Sequence, residues 1–380
     1  MELTDLPNVV VMVGANGSGK SNFLRFFEML QRMMEYGEID RFVQFSGGAD
    51  DQLFGGAEVT QQIEAQVAFD NDKDYYDYRF CLGYAEPNNL VFSEEAYKFW
   101  HKDQEPSLFN SGISHEEHDP SLEAAWHHFK GIHNDAKIVR YRCDNDGFGA
   151  KNGESCSPKC LAGKEIVNFY KNCYIFHFSD TSNTSAMKIS WDIYDRAKMR
   201  PDGGNLATIL MSLEQNDKLR YDYICRNIRR ILPNFDTFDL AEEHGKVILR
   251  WKAINSNKIY GAHLASDGSL RFFALITLLN LPDEMLPEVI FLNEPELGLH
   301  PAAIALLGGM IRVLSYNRQV FIATQSPLLV DAFSLENIFS FDLESGKTEI
   351  NRFSEEEYIH WLEEYSTGEL WDKNLIGGYP

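Results

Sequence analysis

Eight residues near the N-terminus constrain this chain most: Gly14-Ala15-Asn16-Gly17-Ser18-Gly19-Lys20-Ser21, with the spacing G-x-x-x-x-G-K-S. An apolar run, Val9–Val13, precedes them, and an amphipathic stretch from Asn22 to Tyr36 follows. A strand, a glycine-rich loop and a helix in that order form a cradle for a polyphosphate. Gly14, Gly17 and Gly19 let the backbone curl tightly, so that its N–H groups converge on the anion. The helix that follows turns its positive end toward the same charge. Lys20 is placed to reach the β- and γ-phosphates, the Ser21 hydroxyl to ligate Mg²⁺, and Asn22 to border the site.

A chain of 380 residues can build one large or two ordinary domains with an ample core. No apolar run approaches the roughly 20 residues of a membrane helix, and no signal peptide opens the sequence. Phe272–Leu281 is apolar but short, and reads as a buried helix. Six scattered cysteines without a framework spacing suit a reduced, cytoplasmic setting. The formal net charge of −22 excludes nucleic-acid binding through a general electrostatic field, so any such contact needs a local patch or a partner. Arg226, Arg229 and Arg230 are the densest basic cluster, but they flank Ile228 and Ile231 and read as a solvated helix face.

A second chemical feature lies far down the chain. Val289–Leu292 reads as a buried parallel strand that delivers Asn293-Glu294-Pro295-Glu296 at its C-terminal end. In doubly wound sheets ligands bind at that edge. A carboxylate there can orient or deprotonate a water attacking a γ-phosphate. Glu294 is the candidate, with Glu296 as the alternative carboxylate two residues further on.

The segment from Val289 to His300-Pro301 resembles the hhhhDEPExGLHP stretch of ABC-type ATPase heads, the group of RecF, SMC and OLD-type proteins. Leu264-Ala265-Ser266-Asp267-Gly268-Ser269 resembles their signature motif, and Val320 to Thr324-Gln325-Ser326-Pro327 resembles their switch strand. More narrowly, the chain is similar to a group of bacterial AAA-type ATPases. The resemblance implies an α/β P-loop NTPase of ABC-head type: a mixed sheet, an antiparallel β lobe and a helical insertion. It implies ATP and Mg²⁺ as cofactors, bound by residues Gly14 to Asn22, with Ser21 and Asn293 toward the metal. It makes Glu294 and Gln325 catalytic. It implies a self-paired, head-to-tail dimer in which Ser266, Asp267 and Gly268 face the nucleotide of the other copy. Kinship further implies DNA maintenance or anti-phage defence, with a separate effector or nuclease, since no TOPRIM-like acidic motifs follow the switch. Two alternatives are a nucleotide-gated scaffold with little hydrolysis and a transporter ATPase subunit.

The chain departs from the family pattern in places. Asn293 stands where Asp is usual, which removes a charge near the metal, so weaker metal binding and slow hydrolysis are the expectation. Gln325 stands where His is common and cannot carry a proton as imidazole does. Only 13 residues precede Gly14, so either the usual upstream strand is not expected, which would leave a sheet edge open, or the sequence starts late.

The expected division is an N-terminal lobe over 1–100, a mainly helical insertion over 101–232 and a C-terminal lobe over 233–380. Strand-like runs occupy Gln62–Phe69, Tyr75–Leu82 and Leu90–Phe99. Helix-like spacing covers Leu122–His133, Lys164–Tyr170 and Asn205–Ile231, without a coiled-coil heptad. Asp236–Leu240 and Lys246–Ala253 read as a hairpin about Gly245. Gln44, Gln52 and Gln104 are candidates for a glutamine that senses metal and γ-phosphate. Cys143, Cys156 and Cys160, with His127, His128 and His133, read either as a zinc site or as a polar loop. The aromatic tail, Phe353–Pro380, reads as packing on the head or as docking a partner.

Overall fold

The computed structural model describes residues 3–37, 39–102, 126–129, 133–140 and 158–378. In chain order the strands are β1 (Val9–Val13), β2 (Gln62–Asp70), β3 (Asp74–Ala85), β4 (Asn89–His101), β5 (His127–His128), β6 (Cys173–Phe176), β7 (Trp191–Asp192), β8 (Phe235–Phe238), β9 (Lys246–Val247), β10 (Arg250–Ala253), β11 (Ile259–Gly261), β12 (Val289–Asn293), β13 (Gln319–Ala323), β14 (Ile338–Glu344) and β15 (Lys347–Arg352). The helices are α1 (Lys20–Tyr36), α2 (Asp40–Phe45), α3 (Lys137–Arg140), α4 (Pro158–Lys171), α5 (Leu206–Asn216), α6 (Lys218–Ile231), α7 (Asp267–Leu278), α8 (Pro301–Leu314), α9 (Pro327–Val330), α10 (Ile359–Leu362) and α11 (Thr367–Asp372). They form two compact units, one of Met1–Arg25 with Cys173–Pro380, the other of Phe26–Asn172.

The first unit is built on a six-stranded sheet in the order β15-β14-β1-β13-β12-β6. All of it is parallel except β15, which returns antiparallel to β14. The sequence explains the centre. All five residues of β1, Val-Val-Val-Met-Val, are buried, as a parallel strand covered on both faces requires. β12 is similarly buried until its last residue, Asn293, and β13 is buried after its first, Gln319. The edge strand β15, Lys-Thr-Glu-Ile-Asn-Arg, is mostly exposed and carries charge, which discourages pairing with another chain. Because β1 lies between β13 and β14, the chain order reverses there, and the ends of β1, β12 and β13 open at one edge.

The region assigned to an insertion is only partly one. Cys173–Phe176 is a strand of the central sheet beside β12, a four-residue apolar run too short to stand out between helical patterns. Asn205–Ile231 is two helices: Asp217 ends the first and caps the second by accepting from the Arg220 N–H. The described part of Leu122–His133 is not helical. His127–His128 pairs with Ala96 and Tyr97, because cross-strand pairing there overrides the apolar spacing. The hairpin expected about Gly245 forms, with β8 antiparallel to β10 and Glu243 bridged to Lys246; β9 also pairs with β7, and β10 with β11. His244 and Gly245 both take positive φ, 55° and 75°, and turn the chain between these partners.

The second unit carries the antiparallel sheet β2-β3-β4-β5. β2 alternates exposed and half-buried residues along its whole length, as a strand with one covered face should. Gly37, at φ 73°, stops α1 and donates its N–H to the Met33 carbonyl at 2.8 Å.

The C-terminal tail packs on the first unit. Leu370, Trp371 and Ile376 are buried in its core. The Gly368 N–H donates to Asp331 Oδ1 at 2.6 Å and the Gly378 N–H to Asp342 Oδ1 at 2.8 Å. Arg226, Arg229 and Arg230 lie exposed on α6 while Ile224, Cys225 and Ile228 face inward, the solvated helix face read from the sequence. Among the described residues no helix is long and apolar enough to cross a membrane.

Candidate nucleotide site

The glycine-rich loop leaves β1 and ends at the first turn of α1, which contains no acidic residue that would compete with a bound anion. Two glycines are dictated by close approach. A Cβ on Gly14 would stand 2.5 Å from the Phe341 carbonyl oxygen, and one on Gly19 would overlap the Thr348 hydroxyl. That hydroxyl donates to the Ser18 carbonyl at 2.9 Å, so the β14–β15 hairpin braces the loop from outside. Lys20 is buried. Its ammonium donates to the carbonyls of Gly14 and, at 2.9 Å, Ala15. Burial pulls its pKa down, and the nearby Glu294 carboxylate opposes that shift. A phosphate entering the loop offers the same ammonium a charged acceptor. Asn16, Gly17, Ser21 and Asn22 are exposed.

The loop, the end of β12 and the end of β13 meet through one side chain. The Gln325 amide donates to Asn16 Oδ1 at 2.8 Å and to Glu294 Oε1 at 3.1 Å. Glu294 sits at φ 46°, a left-handed conformation that a residue with a Cβ seldom adopts, and its N–H is held by the Ala323 carbonyl at 2.8 Å. Glu296 has a different environment. Its Oε1 accepts the Thr324 hydroxyl at 2.6 Å and the Gln325 N–H at 3.1 Å. Its Oε2 is buried without a hydrogen-bond partner among the described residues, and burial pushes the carboxyl pKa up. Of the two carboxylates left open by the sequence, Glu296 braces the switch backbone, whereas Glu294 shares the Gln325 amide with the loop.

Asn293 has an unforeseen neighbour. Its Nδ2 lies 3.1 Å from His177 Nδ1, and His177 Nε2 lies 2.5 Å from Ser179 Oγ. The sheet register explains this: Leu292 pairs with Phe176, so the next residues on β12 and β6 stand side by side. The signal was present in the sequence, since Tyr174-Ile175-Phe176 is, like Val289–Leu292, an apolar run ending in a polar residue. Arg271 then ties three segments together. It donates to the carbonyls of Phe178 at 3.1 Å, Ser179 at 2.9 Å and Leu297 at 2.9 Å. A cavity at this edge is lined by His177, Ser179, Arg271, Asn293, Glu294 and Leu297, among others.

Ser266 caps α7, its Oγ accepting from the Ser269 N–H at 3.2 Å. Gly268 lies against the Gly298 carbonyl so closely that a Cβ would overlap it. Ser266 and Asp267 are exposed, and among the described residues the hydrogen bonds of Ser266 end within its own turn, not on the phosphate loop. Of the three candidate glutamines, Gln52 is held in its own turn by the carbonyls of Ser46 (2.8 Å) and Gly48 (3.3 Å). Gln44 is exposed on α2, and Gln104 lies outside the described residues. Cys143 and Cys156, and the Cys160 side chain, also lie outside them. Among the described residues no metal-binding cluster of His, Cys, Asp and Glu forms.

A solved structure shares this architecture, and a second aligns along its length. The Smc head bound to the C-winged helix domain of ScpA aligns at 13% identity over 93% of each chain, with a TM-score of 0.51. The Smc head with an extended coiled coil, bound to the C-terminal domain of ScpA from Pyrococcus furiosus, aligns at 13% identity over 94% of each chain, with a TM-score of 0.49. The first establishes a common fold, that of a P-loop NTPase head with a mixed sheet. No curated protein matches the sequence. A family model described as "AAA domain, putative AbiEii toxin, Type IV TA system" matches residues 9–126 and 207–331, more than half of the chain, and the protein belongs to that family of ATPases.

Proposed function

We propose that the protein binds and hydrolyses ATP as a switch that pairs head-to-tail with a second copy. The observation that carries this reading is the Gln325 amide, which joins Asn16 of the phosphate loop to Glu294 at the end of β12. A group in that place is set to respond to whether a γ-phosphate lies between loop and carboxylate. The loop amides and Lys20 hold the phosphates. Glu294 orients and deprotonates the attacking water. Ser266 and Asp267, exposed at the start of α7, with Gly268 behind them, complete the nucleotide site of the other copy. The donor set near the loop, the Ser21 hydroxyl and the Asn293 amide oxygen, is hard and fits a Mg²⁺ that keeps several waters. Such a cation neutralises charge on the β- and γ-phosphates.

A cytoplasmic role in DNA maintenance or anti-phage defence, beside a separate effector or nuclease, is the setting we infer. The family's description, a putative AbiEii toxin of a Type IV TA system, supports a separate partner. One observation favours a second reading, a scaffold that binds ATP and scarcely turns it over. Asn293 is uncharged, and its amide nitrogen faces His177. Turnover that rises in Asn293→Asp identifies an enzyme slowed by the missing charge. Equal, negligible turnover in both identifies the scaffold.

The deciding measurement is the solution mass of Glu294→Gln with and without ATP and Mg²⁺. A mass that doubles only with ATP is expected. An unchanged monomer that still binds nucleotide overturns self-pairing.

A further inference from the structure

Resting on the nucleotide-site reading, we propose that His177 is a direct ligand, through Nδ1, of the divalent cation that accompanies the nucleotide. With Asn293 it makes a nitrogen–oxygen donor pair that favours Mn²⁺ over Mg²⁺.

Three observations support this. The first is position: β6 and β12 are paired in register, and His177 follows Phe176 as Asn293 follows Leu292, so both side chains emerge together at the carboxyl edge of the sheet, His177 on the far side of Asn293 from β1 and its loop. The second is spacing. His177 Nδ1 and the Asn293 amide are 3.1 Å apart. Adjacent ligands of an octahedral cation at roughly 2.1 Å stand about 3.0 Å apart. A half-turn of the Asn293 amide exchanges Nδ2 for Oδ1 and sets two acceptors side by side, a repulsive pair that a cation bound to both would relieve. The third is the rear support. Histidines that ligate metals commonly engage a second group through the other ring nitrogen, which fixes tautomer and ring orientation. Ser179 Oγ stands 2.5 Å from Nε2. The backbone that carries Ser179 is held by Arg271 through the carbonyls of Phe178 and Ser179.

The chemistry sets the preference. Mg²⁺ demands oxygen ligands and parts with water reluctantly, whereas imidazole suits the later divalent ions. A neutral Asn–His pair supplies less charge than an aspartate would, and recovers affinity through nitrogen.

The test uses the full chain with a non-hydrolysable ATP analogue and Mn²⁺ as the probe. Electron spin-echo spectroscopy reads imidazole nitrogen bound to Mn²⁺, and titration of free Mn²⁺ gives affinity. A histidine nitrogen signal is expected in the natural chain and absent in His177→Gln. In that variant Mn²⁺ affinity should fall about tenfold, with a smaller change for Mg²⁺. Ser179→Ala should keep the signal and weaken Mn²⁺ by roughly tenfold. Nucleotide-bound Mn²⁺ without a histidine signal in the natural chain overturns the proposal and leaves the nucleotide reading standing. Failure to bind the analogue at all overturns both.

Discussion

Two polar clusters around a glutamate, one inside the antiparallel lobe and one at the edge of the central sheet, are built in opposite ways. Glu95, on β4, is fully buried. Its carboxyl accepts the Tyr78 hydroxyl at 2.9 Å, the Lys137 N–H at 2.8 Å and the Ile138 N–H at 3.2 Å. Both oxygens are engaged by the protein itself, two of the donors are backbone, and the His133 ring stands 3.5 Å from Oε2. Glu294 shares one amide with Asn16 and keeps the rest of its carboxylate for other partners. A satisfied, dry cluster fastens a segment and resists exchange. A half-satisfied cluster at a sheet edge can trade its contacts for those of a ligand.

The largest expected effect therefore lies at the edge, on rate and not on folding. Glu294→Gln removes the charge proposed to activate water and keeps the Gln325 contact sterically possible. Turnover should fall by about 10²–10⁴-fold with nucleotide affinity retained. A variant that hydrolyses ATP normally would assign the chemistry elsewhere.

The interior cluster should behave conversely. Glu95→Ala leaves the Tyr78 hydroxyl and two backbone N–H groups buried without acceptors, at a cost of about 3 kcal/mol or more. Hydrogen exchange in β3 and β4 should report it, with nucleotide affinity as the control. The same group makes stability pH-dependent. Burial pushes the Glu95 pKa up to about 7 from an ordinary 4.5, against the hydrogen bonds that lower it. The folded lobe thus holds this proton more tightly than the unfolded chain does. The stabilisation is complete below about pH 4.5 and is lost as pH rises through about 7, amounting to roughly 3 kcal/mol. Glu95→Gln should flatten that slope, whatever constant offset it introduces. A slope that persists would place the titrating group elsewhere.

The edge was more legible in the sequence than the interior. The loop, the strand ending in Asn293-Glu294 and the switch at Gln325 each announce themselves by local pattern, and the fold brings them together because each ends a buried strand of one sheet. His177 escaped because β6 is four residues long and lies between helices, and its role depends on register with a strand over 100 residues away. The Glu95 cluster is invisible for a similar reason. A glutamate in an alternating strand reads as solvent-facing until the chain at 137–138 covers it. The failed helix at 122–133 shows the same limit, since pairing with β4 decides His127 and His128 and no local period reveals it.

The smallest expected effect sharpens the comparison furthest. Gln325→Ala deletes two side-chain hydrogen bonds, one to an exposed asparagine and one to a half-buried glutamate. The Gln325 N–H still reaches Glu296, so the backbone of the switch keeps its anchor. Surface contacts of this kind contribute little, and unfolding of the nucleotide-free chain should shift by less than about 0.5 kcal/mol. If the amide reports the γ-phosphate, however, the change in solution mass on adding ATP should weaken or vanish in the same variant. A large loss of stability would mean that Gln325 is a fastening like Glu95. Unchanged stability with unchanged ATP-driven pairing would mean that the bridge between Asn16 and Glu294 is incidental to the switch.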